Sequence, residues 1–233
     1  MMKVLIACEE SQAVCKAFRK LGYEAYSCDV LECSGGCPEY HIQGDCLPLI
    51  NGNCTFTTLG GVTVTIEGKW DILIAHPPCT FLSNAGACRL YPHKGEMDIQ
   101  RYQKGLEAKE FFLKLLNADC PHVAVENPVS CKVFKMPEHT QEIQPYQFGH
   151  PYTKKTRLWL KNLPPLKPTK IVEVISPYCP AGTGRKNSNK YGAAKRGEDA
   201  KNRAKTFPGI AEAMAVQWSA YVEKGSEEID QYK

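Results

Sequence analysis

No stretch of the sequence approaches the roughly 18–20 consecutive apolar residues needed to cross a bilayer. The opening Met1-Met2-Lys3-Val4-Leu5-Ile6-Ala7 meets Glu9 and Glu10 before it could form the apolar core of a secretory signal. These absences exclude a membrane span and a secreted precursor, and the expectation is a soluble cytoplasmic protein with no membrane contact. Paired cysteines at zinc-site spacing are lacking too. Among 12 cysteines the nearest approach is Cys33-x3-Cys37, with His41, Cys46 and Cys54 around it and no second pair. No metal is expected. The cysteines read as reduced thiols, and Cys8 and Cys28 sit in apolar strand-like runs where a thiol acts as a small hydrophobe. Internal repeats are absent. The 233 residues, 43% apolar and 23% charged, are enough for one packed α/β domain and too few for two of full size.

What is present is unevenly charged. Between Thr153 and Thr206 stand 14 lysines and arginines against three acids, a local excess of +11, although the whole chain carries only +4. An acidic body with one strongly basic segment has the electrostatic footprint of a nucleic-acid contact, in which Arg185, Lys186, Lys195 and Arg196 would meet phosphates. The same composition also describes a solvated loop whose lysines only keep it soluble. The part around 182–206 is rich in Gly and Lys and aperiodic, and is expected to be mobile without a partner.

Lys3–Cys8 reads as a buried strand. Ser11 is placed to cap a helix with Val14, Phe18 and Leu21 at helical spacing and Gly22 as its stop. Glu24–Val30 reads as a second strand carrying Asp29 at its tip. A strand–helix–strand opening with an acid at that tip is how nucleotide-binding α/β sheets begin. The Gly-x-Gly-x-x-Gly fingerprint is missing, since Cys8-Glu9-Glu10-Ser11 fills the first turn, and this argues against NAD. Cys54–Thr58 and Val62–Ile66 around Leu59-Gly60-Gly61 predict an inserted β-hairpin, spanning about 54–67. Trp70–Ala75 and His122–Val125 read as further strands, Ile99–Leu116 as an amphipathic helix, Leu158–Leu160 as a short strand, and Phe207–Glu223 as a closing helix with Ile210, Met214 and Trp218 on one face. Alternating strands and helices predict a mostly parallel sheet with its site at the strands' C-terminal ends.

Two of those ends carry chemistry. Trp70–Ala75 runs into His76-Pro77-Pro78-Cys79, where two prolines stiffen the turn that presents a thiol. His122–Val125 runs into Glu126-Asn127-Pro128, a carboxylic acid beside an amide, suited to hydrogen-bonding a heterocycle. With these residues the chain resembles the DNA cytosine-C5 methyltransferase family, in the short stand-alone form of phages and mobile elements. Ala75-His76-Pro77-Pro78-Cys79 resembles the Pro-Pro-Cys nucleophile loop and Val125-Glu126-Asn127-Pro128-Val129 the Glu-Asn-Val motif. Asp29 stands at the ribose-binding acid and Gly44-Asp45 at the acid that meets the adenine. Phe207-Pro208-Gly209-Ile210-Ala211-Glu212-Ala213 resembles the last motif, which packs beside the cofactor.

The resemblance implies a Rossmann-like α/β methyltransferase fold, mostly parallel with helices on both faces, forming a single catalytic domain over residues 1–233. It also implies S-adenosylmethionine as cofactor and DNA as partner, with no obligate protein partner. Cys79 would attack C6 of cytosine, Glu126 would protonate N3, and Asn127 and Pro78 would hold the loop; the thiol, ordinarily near a pKa of ~8.5, needs activation. Glu126 would need a low-polarity pocket to keep a proton, and a duplex target would have to flip its base out. Ala7, Cys8, Glu9, Ser11, Asp29, Asp45 and Pro77 would line the cofactor. The family's Gln-x-Arg-x-Arg motif is altered: Lys154 falls on its first arginine, Thr156 on its second, and Arg157 one place on. The large target-recognition domain is missing, because only 49 residues separate Arg157 from Phe207. That shortness leaves open modification of a free pyrimidine nucleotide or unusual base, and a catalytically silent DNA-binding relative remains a third possibility.

Overall fold

The computed structural model describes residues 1–93, 95–177 and 204–230. The chain opens with β1 (Lys3–Ala7), α1 (Ala13–Lys20), β2 (Glu24–Asp29) and β3 (His41–Gln43), followed by the hairpin strands β4 (Cys54–Thr57) and β5 (Thr63–Ile66). Then come β6 (Ile72–Ala75), a single turn α2 (Ala87–Leu90), α3 (Ile99–Leu116), β7 (His122–Pro128), β8 (Gln141–Ile143), β9 (Tyr152–Thr153), β10 (Thr156–Lys161), β11 (Ser176–Pro177) and α4 (Pro208–Asp230).

Seven strands form one sheet in the order β3-β2-β1-β6-β7-β10-β8. Every neighbouring pair from β3 to β7 is parallel, whereas β10 runs antiparallel to both β7 and β8. Two apolar clusters lie on opposite faces. Leu5, Ala7, Leu73, Val123 and Val125 join Phe112 and Leu115 of α3, while Val4, Ile6, Ile72 and Ile74 join Phe18 of α1 and Met214 and Trp218 of α4. Because both faces are covered, β1 and β6 are apolar without alternation, as a buried parallel strand requires. This is the Rossmann-like α/β arrangement, mostly parallel with helices on both faces, that the resemblance implied.

Several boundaries differ from the sequence reading. β2 stops at Asp29, β10 is a full six-residue strand, and the closing helix continues from Glu223 to Asp230. The cap of α1 is not Ser11. Gln12 takes the N-cap position in the left-handed region (φ 57°), and the Ser11 hydroxyl reaches only the Ala13 N–H, at 3.5 Å. The buried carboxylate of Glu9 caps the helix instead, accepting from the N–H groups of Val14 (2.6 Å) and Cys15 (3.1 Å). A helix N-terminus offers free donors and partial positive charge, and Glu9 satisfies both. The hairpin pairs Cys54 with Ile66 and Thr57 with Thr63, and lays Phe56 flat against Trp70 with centroids 6.3 Å apart. Its turn presses on the chain before β3, where a Cβ on Gly60 would stand 2.8 Å from Glu39 Cα. No helix among the described residues is long and apolar enough to cross a membrane.

Candidate functional site at the carboxyl rim of the sheet

β1, β2, β6 and β7 run in one direction, so their C-terminal ends share one rim. The sheet order reverses between β1 and β6, and this switch point is where α/β sheets open a crevice. The register pairs Ala7 with Cys28, Ala7 with Ala75, and Ala75 with Val125. One residue further on, Asp29, Cys8, His76 and Glu126 therefore stand in a row across the rim.

His76 and Glu126 meet within that row. The ring Nδ1 lies 3.2 Å from Glu126 Oε2, with 8% of the His76 side chain and 18% of the Glu126 side chain exposed. The His76 N–H is fixed on the Ala7 carbonyl (2.9 Å), so β1 and β6 are still bonded where the imidazole leaves the sheet. Burial pushes the Glu126 carboxyl up, but the hydrogen bond and charge of His76, with Lys154 nearby, outweigh it and hold the group below the usual carboxylate range. In place of the low-polarity pocket expected from the sequence, Glu126 has a hydrogen-bonding imidazole beside it. Glu9 goes the other way: burial lifts its carboxyl, against the opposing pull of His76 and the α1 N–H groups.

The thiol is carried by a braced loop. Fully buried Asn127 donates from Nδ2 to the Pro77 carbonyl (3.2 Å), joining the tip of β7 to the turn before Cys79. The Cys79 carbonyl accepts from Leu82 (3.2 Å) and Ser83 (2.8 Å). Beyond it, Asn84 donates to Val129 (2.8 Å), Cys131 to Leu82 (2.7 Å), and Ser83 bridges Ser130. Arg101 of α3 donates from Nη2 to the Thr80 carbonyl (2.7 Å) and covers the Phe81 ring at 5.0 Å. Pro77 is buried, Pro78 exposed and Cys79 partly exposed.

That exposure separates Cys79 from the buried Cys15, Cys28, Cys46, Cys120 and Cys131. None of the 11 among the described residues forms a disulfide. Burial lifts the thiols of Cys15 and Cys28, and pushes that of Cys120 up to about 11. The Cys8 thiol is lifted by its hydrogen bond with Cys46 and by burial. Such thiols stay protonated and inert. Among the described residues no group of three or more His, Cys, Asp or Glu is arranged to hold a metal ion.

On the other side of the switch point, Asp29 and Asp45 lie at the tips of β2 and β3. Their Oδ1 atoms accept the N–H groups of Leu31 (2.9 Å) and Leu47 (3.0 Å), which fixes each carboxylate's direction. Between them, no heavy atom lies within 4 Å of where a Cβ on Gly44 would stand. Two oriented acceptors beside an open strip of backbone fit a nucleoside, with hydroxyls and an exocyclic amine to satisfy. The β1–α1 turn makes its bend without glycine, through positive φ at Cys8 (60°) and Gln12 (57°). It is packed by the segment after β2: Ser34 donates to the Glu10 carbonyl (2.8 Å), and the Gln12 amide bonds both the N–H and the carbonyl of Cys37 (3.0 and 2.8 Å).

No protein-family model matches the chain, and no curated protein does. Among solved structures it is similar to a prophage-encoded E. coli protein provisionally described as a DNA modification methyltransferase, with 13% identity and a TM-score of 0.43 over 75% of this chain. The chain spans 53% of that protein's length.

The structure gathers Cys8, Asp29, His76, Pro77, Cys79, Glu126 and Asn127 at one rim, with Asp45 beside Asp29. Ala7 is in the core and Glu9 faces α1, so both support the rim from below. Thr156 is buried in β10, with its hydroxyl donating to the Lys154 carbonyl (3.2 Å). The Arg157 Nε bonds Glu142 Oε2 at 3.0 Å, and Lys155 reaches the other oxygen at 3.0 Å. Of these three basic residues, Lys154 is the one whose charge reaches Glu126. Arg185, Lys186, Lys195 and Arg196 lie outside the described residues. Sequence reasoning missed the pairing of His76 with Glu126, although a signal was available: each directly follows an apolar run of a buried strand, and parallel register aligns the ends of such runs.

Proposed function

We propose that the chain transfers a methyl group from S-adenosylmethionine to C5 of cytosine in DNA through a covalent adduct of Cys79 at C6. The observation that supports this reading is the tie between two strand tips: Asn127 donates to the Pro77 carbonyl, joining the strand end that carries Glu126, itself hydrogen-bonded to the His76 imidazole, to the turn that leads into the partly exposed Cys79. A nucleophile and a proton-handling group on adjacent rigid tips suit a reaction that adds a thiolate to a ring carbon while a ring nitrogen is protonated.

Cys79 as thiolate forms the S–C6 bond, and the electron pair displaced from the C5–C6 double bond moves toward N3, which takes a proton from the Glu126 side. C5 is then electron-rich. S-adenosylmethionine, when bound, supplies a methyl group on a sulfonium that such a carbon can take. Asp29 and Asp45 would hold the ribose hydroxyls and the adenine amine. Loss of the C5 proton to solvent, return of the N3 proton and departure of the thiolate restore the ring. The braced loop keeps Cys79 in place through both halves, and partial exclusion of water protects the adduct.

The test is incubation with S-adenosylmethionine and DNA carrying 5-fluorocytosine, with mass spectrometry of the denatured product. Fluorine cannot leave as a proton does, so the expected result is a stable protein–DNA adduct absent from Cys79→Ala. DNA binding without an adduct overturns the covalent mechanism. Absence of DNA binding with turnover of a free pyrimidine nucleotide overturns DNA as the substrate.

A further inference from the structure

The methyl-transfer reading leaves unused a groove between α1 and α4, on the sheet face where Phe18 packs with Met214 and Trp218. It encloses about 860 Å³, far more than a single ion needs. Lys16 and Lys20 stand four residues apart on α1, and Ala17 and Leu21 follow them at the same spacing, so a charged and an apolar stripe share one wall. Exposed Val216 of α4 forms part of the opposite wall, and Lys205 and Phe207 stand where α4 begins. Glu212 is the one acid among the described lining residues. It lies 3.9 Å from Lys20 Nζ with both side chains largely exposed, so the pair is weak and Lys20 keeps its charge for another anion. Lys16 gives one of its three N–H groups to the Gly35 carbonyl (3.0 Å).

The groove meets the catalytic rim through Phe207. That ring neighbours His150 and Tyr152, with centroids 5.0 and 6.2 Å away, and Lys154 Nζ lies 5.9 Å from its centre. Lys154 is also the cation whose charge reaches Glu126. Two features select the occupant. Lysines along an apolar wall that leads away from aromatic rings suit a nucleic-acid strand with its bases turned onto the protein and its phosphates on the cations. Packed helices lie roughly 8–10 Å apart, which is narrower than a duplex, whose major groove alone is about 12 Å across. We infer that the groove holds a short single-stranded run of DNA leading to the rim, with its phosphates on Lys16, Lys20 and Lys205 and its bases against Ala17, Leu21 and Val216. From Ala13 to Lys20 the wall is about 10 Å long, room for about two or three phosphates, whose spacing along a strand is ~3.4 Å or more. That the base reaching the rim is a cytosine beside Cys79 rests on the methyl-transfer reading; the grip of the groove on a single strand does not.

The test is fluorescence anisotropy on the full chain, without cofactor, using one labelled DNA oligonucleotide of about 16 nucleotides as a single strand and as a duplex. The single strand is expected to bind at least about 10-fold tighter at equal salt. The double variant Lys16→Gln with Lys20→Gln should lose ~10-fold of that affinity and about 1.4 of the salt slope, at roughly 0.7 for each phosphate of a single strand, while duplex binding changes less than about 2-fold. Glu212→Gln removes the acid from the groove and should tighten single-strand binding by about 2–5-fold, a gain that no loss of folding can imitate. Equal affinity for the two forms, or a double variant that binds the single strand as the unaltered protein does, overturns the inference. So does a labelled glutamate-rich peptide that binds in a Lys16- and Lys20-dependent way where the oligonucleotide does not, since the groove is then a docking surface for an acidic protein segment. Because no step of this assay needs turnover, the two readings fail separately. A protein that grips the single strand yet forms no 5-fluorocytosine adduct loses the methyl-transfer reading alone, and one that forms the adduct on duplex without single-strand preference loses the groove alone.

Discussion

At the scale of single residues, the side chains that build the rim differ from those that face a ligand, and substitutions should separate them. Asn127→Ala removes the donor to Pro77 and leaves the turn before Cys79 untied. A buried hydrogen bond of this kind is worth about 1–3 kcal/mol when one partner is removed, and adduct formation should slow by more than the stability change explains. Urea unfolding alongside single-turnover trapping checks both. Glu9→Ala uncaps α1 and should cost about 1–2 kcal/mol in the same unfolding assay. Glu9→Gln keeps an acceptor and should cost less than Glu9→Ala. Since the folded protein holds the Glu9 carboxyl above its unfolded value, the native state binds the proton more tightly. The corresponding stability is present at low pH and lost as pH rises through the folded value, so the gap between the unaltered protein and Glu9→Gln should narrow as pH climbs past ~4.3. Stability curves at pH 4 and pH 7 measure this directly. The sequence reading has Glu9 lining the cofactor as a polar residue of the first turn, whereas its carboxylate faces α1. Its capping role depends on Gln12 entering the left-handed region, which composition does not reveal.

At the scale of elements, the most exacting contact is at the start of α4. Gly209 donates its N–H to His150 Nε2 (3.0 Å), and a Cβ there would collide with the Phe148 carbonyl oxygen. Gly209→Ala must displace backbone, and a loss of about 1–3 kcal/mol is expected from overpacking, seen as a lower midpoint in urea. Gly225, with nothing within 4 Å of its missing Cβ, should accept alanine without loss. The strands and long helices were readable because β1, β6 and β7 are apolar runs bounded by polar or Pro residues, and because Ile210, Met214 and Trp218 recur at helical spacing. The reversed β10 was read as a short strand, since Thr156-Arg157 and Lys161 are polar ends whose place is set by pairing with β7, a contact between distant parts of the chain. The ion pairs of Lys155 and Arg157 with Glu142 were hidden for the same reason.

At the scale of the whole molecule, charge and chemistry are segregated. The parallel sheet sets the rim, and the excess of positive charge belongs to the later part of the sequence. If Arg185, Lys186, Lys195 and Arg196 meet phosphates, DNA affinity should fall linearly with salt on logarithmic axes. Neutralising all four should then reduce the slope by up to about 3–4, at roughly 0.9 for each phosphate that no longer meets a cationic side chain. Fluorescence anisotropy with labelled duplex at 50 and 200 mM salt measures it, and an unchanged slope would remove those residues from the DNA interface. Cys79 and Glu126 were legible, through the motifs around them, as belonging to the ends of neighbouring strands, but the contact of His76 with Glu126 was not. That contact depends on the register of Ala75 with Val125, which the two strand ends do not set by themselves.

The bonds linking Leu82, Ser83 and Asn84 to Val129, Ser130 and Cys131 have a consequence for how such a chain can change. The loop after β6 and the loop after β7 form a small ladder, so neither can gain or lose a residue on its own near these rungs. A one-residue insertion between Cys79 and Ser83 would slip the ladder and carry the thiol away from Glu126, whereas a compensating insertion before Ser130 could restore the register. Variation in length should therefore be tolerated in the 85–98 stretch beyond the ladder, where a loop can be rebuilt to suit a different target while the spacing of thiol and carboxylate stays fixed.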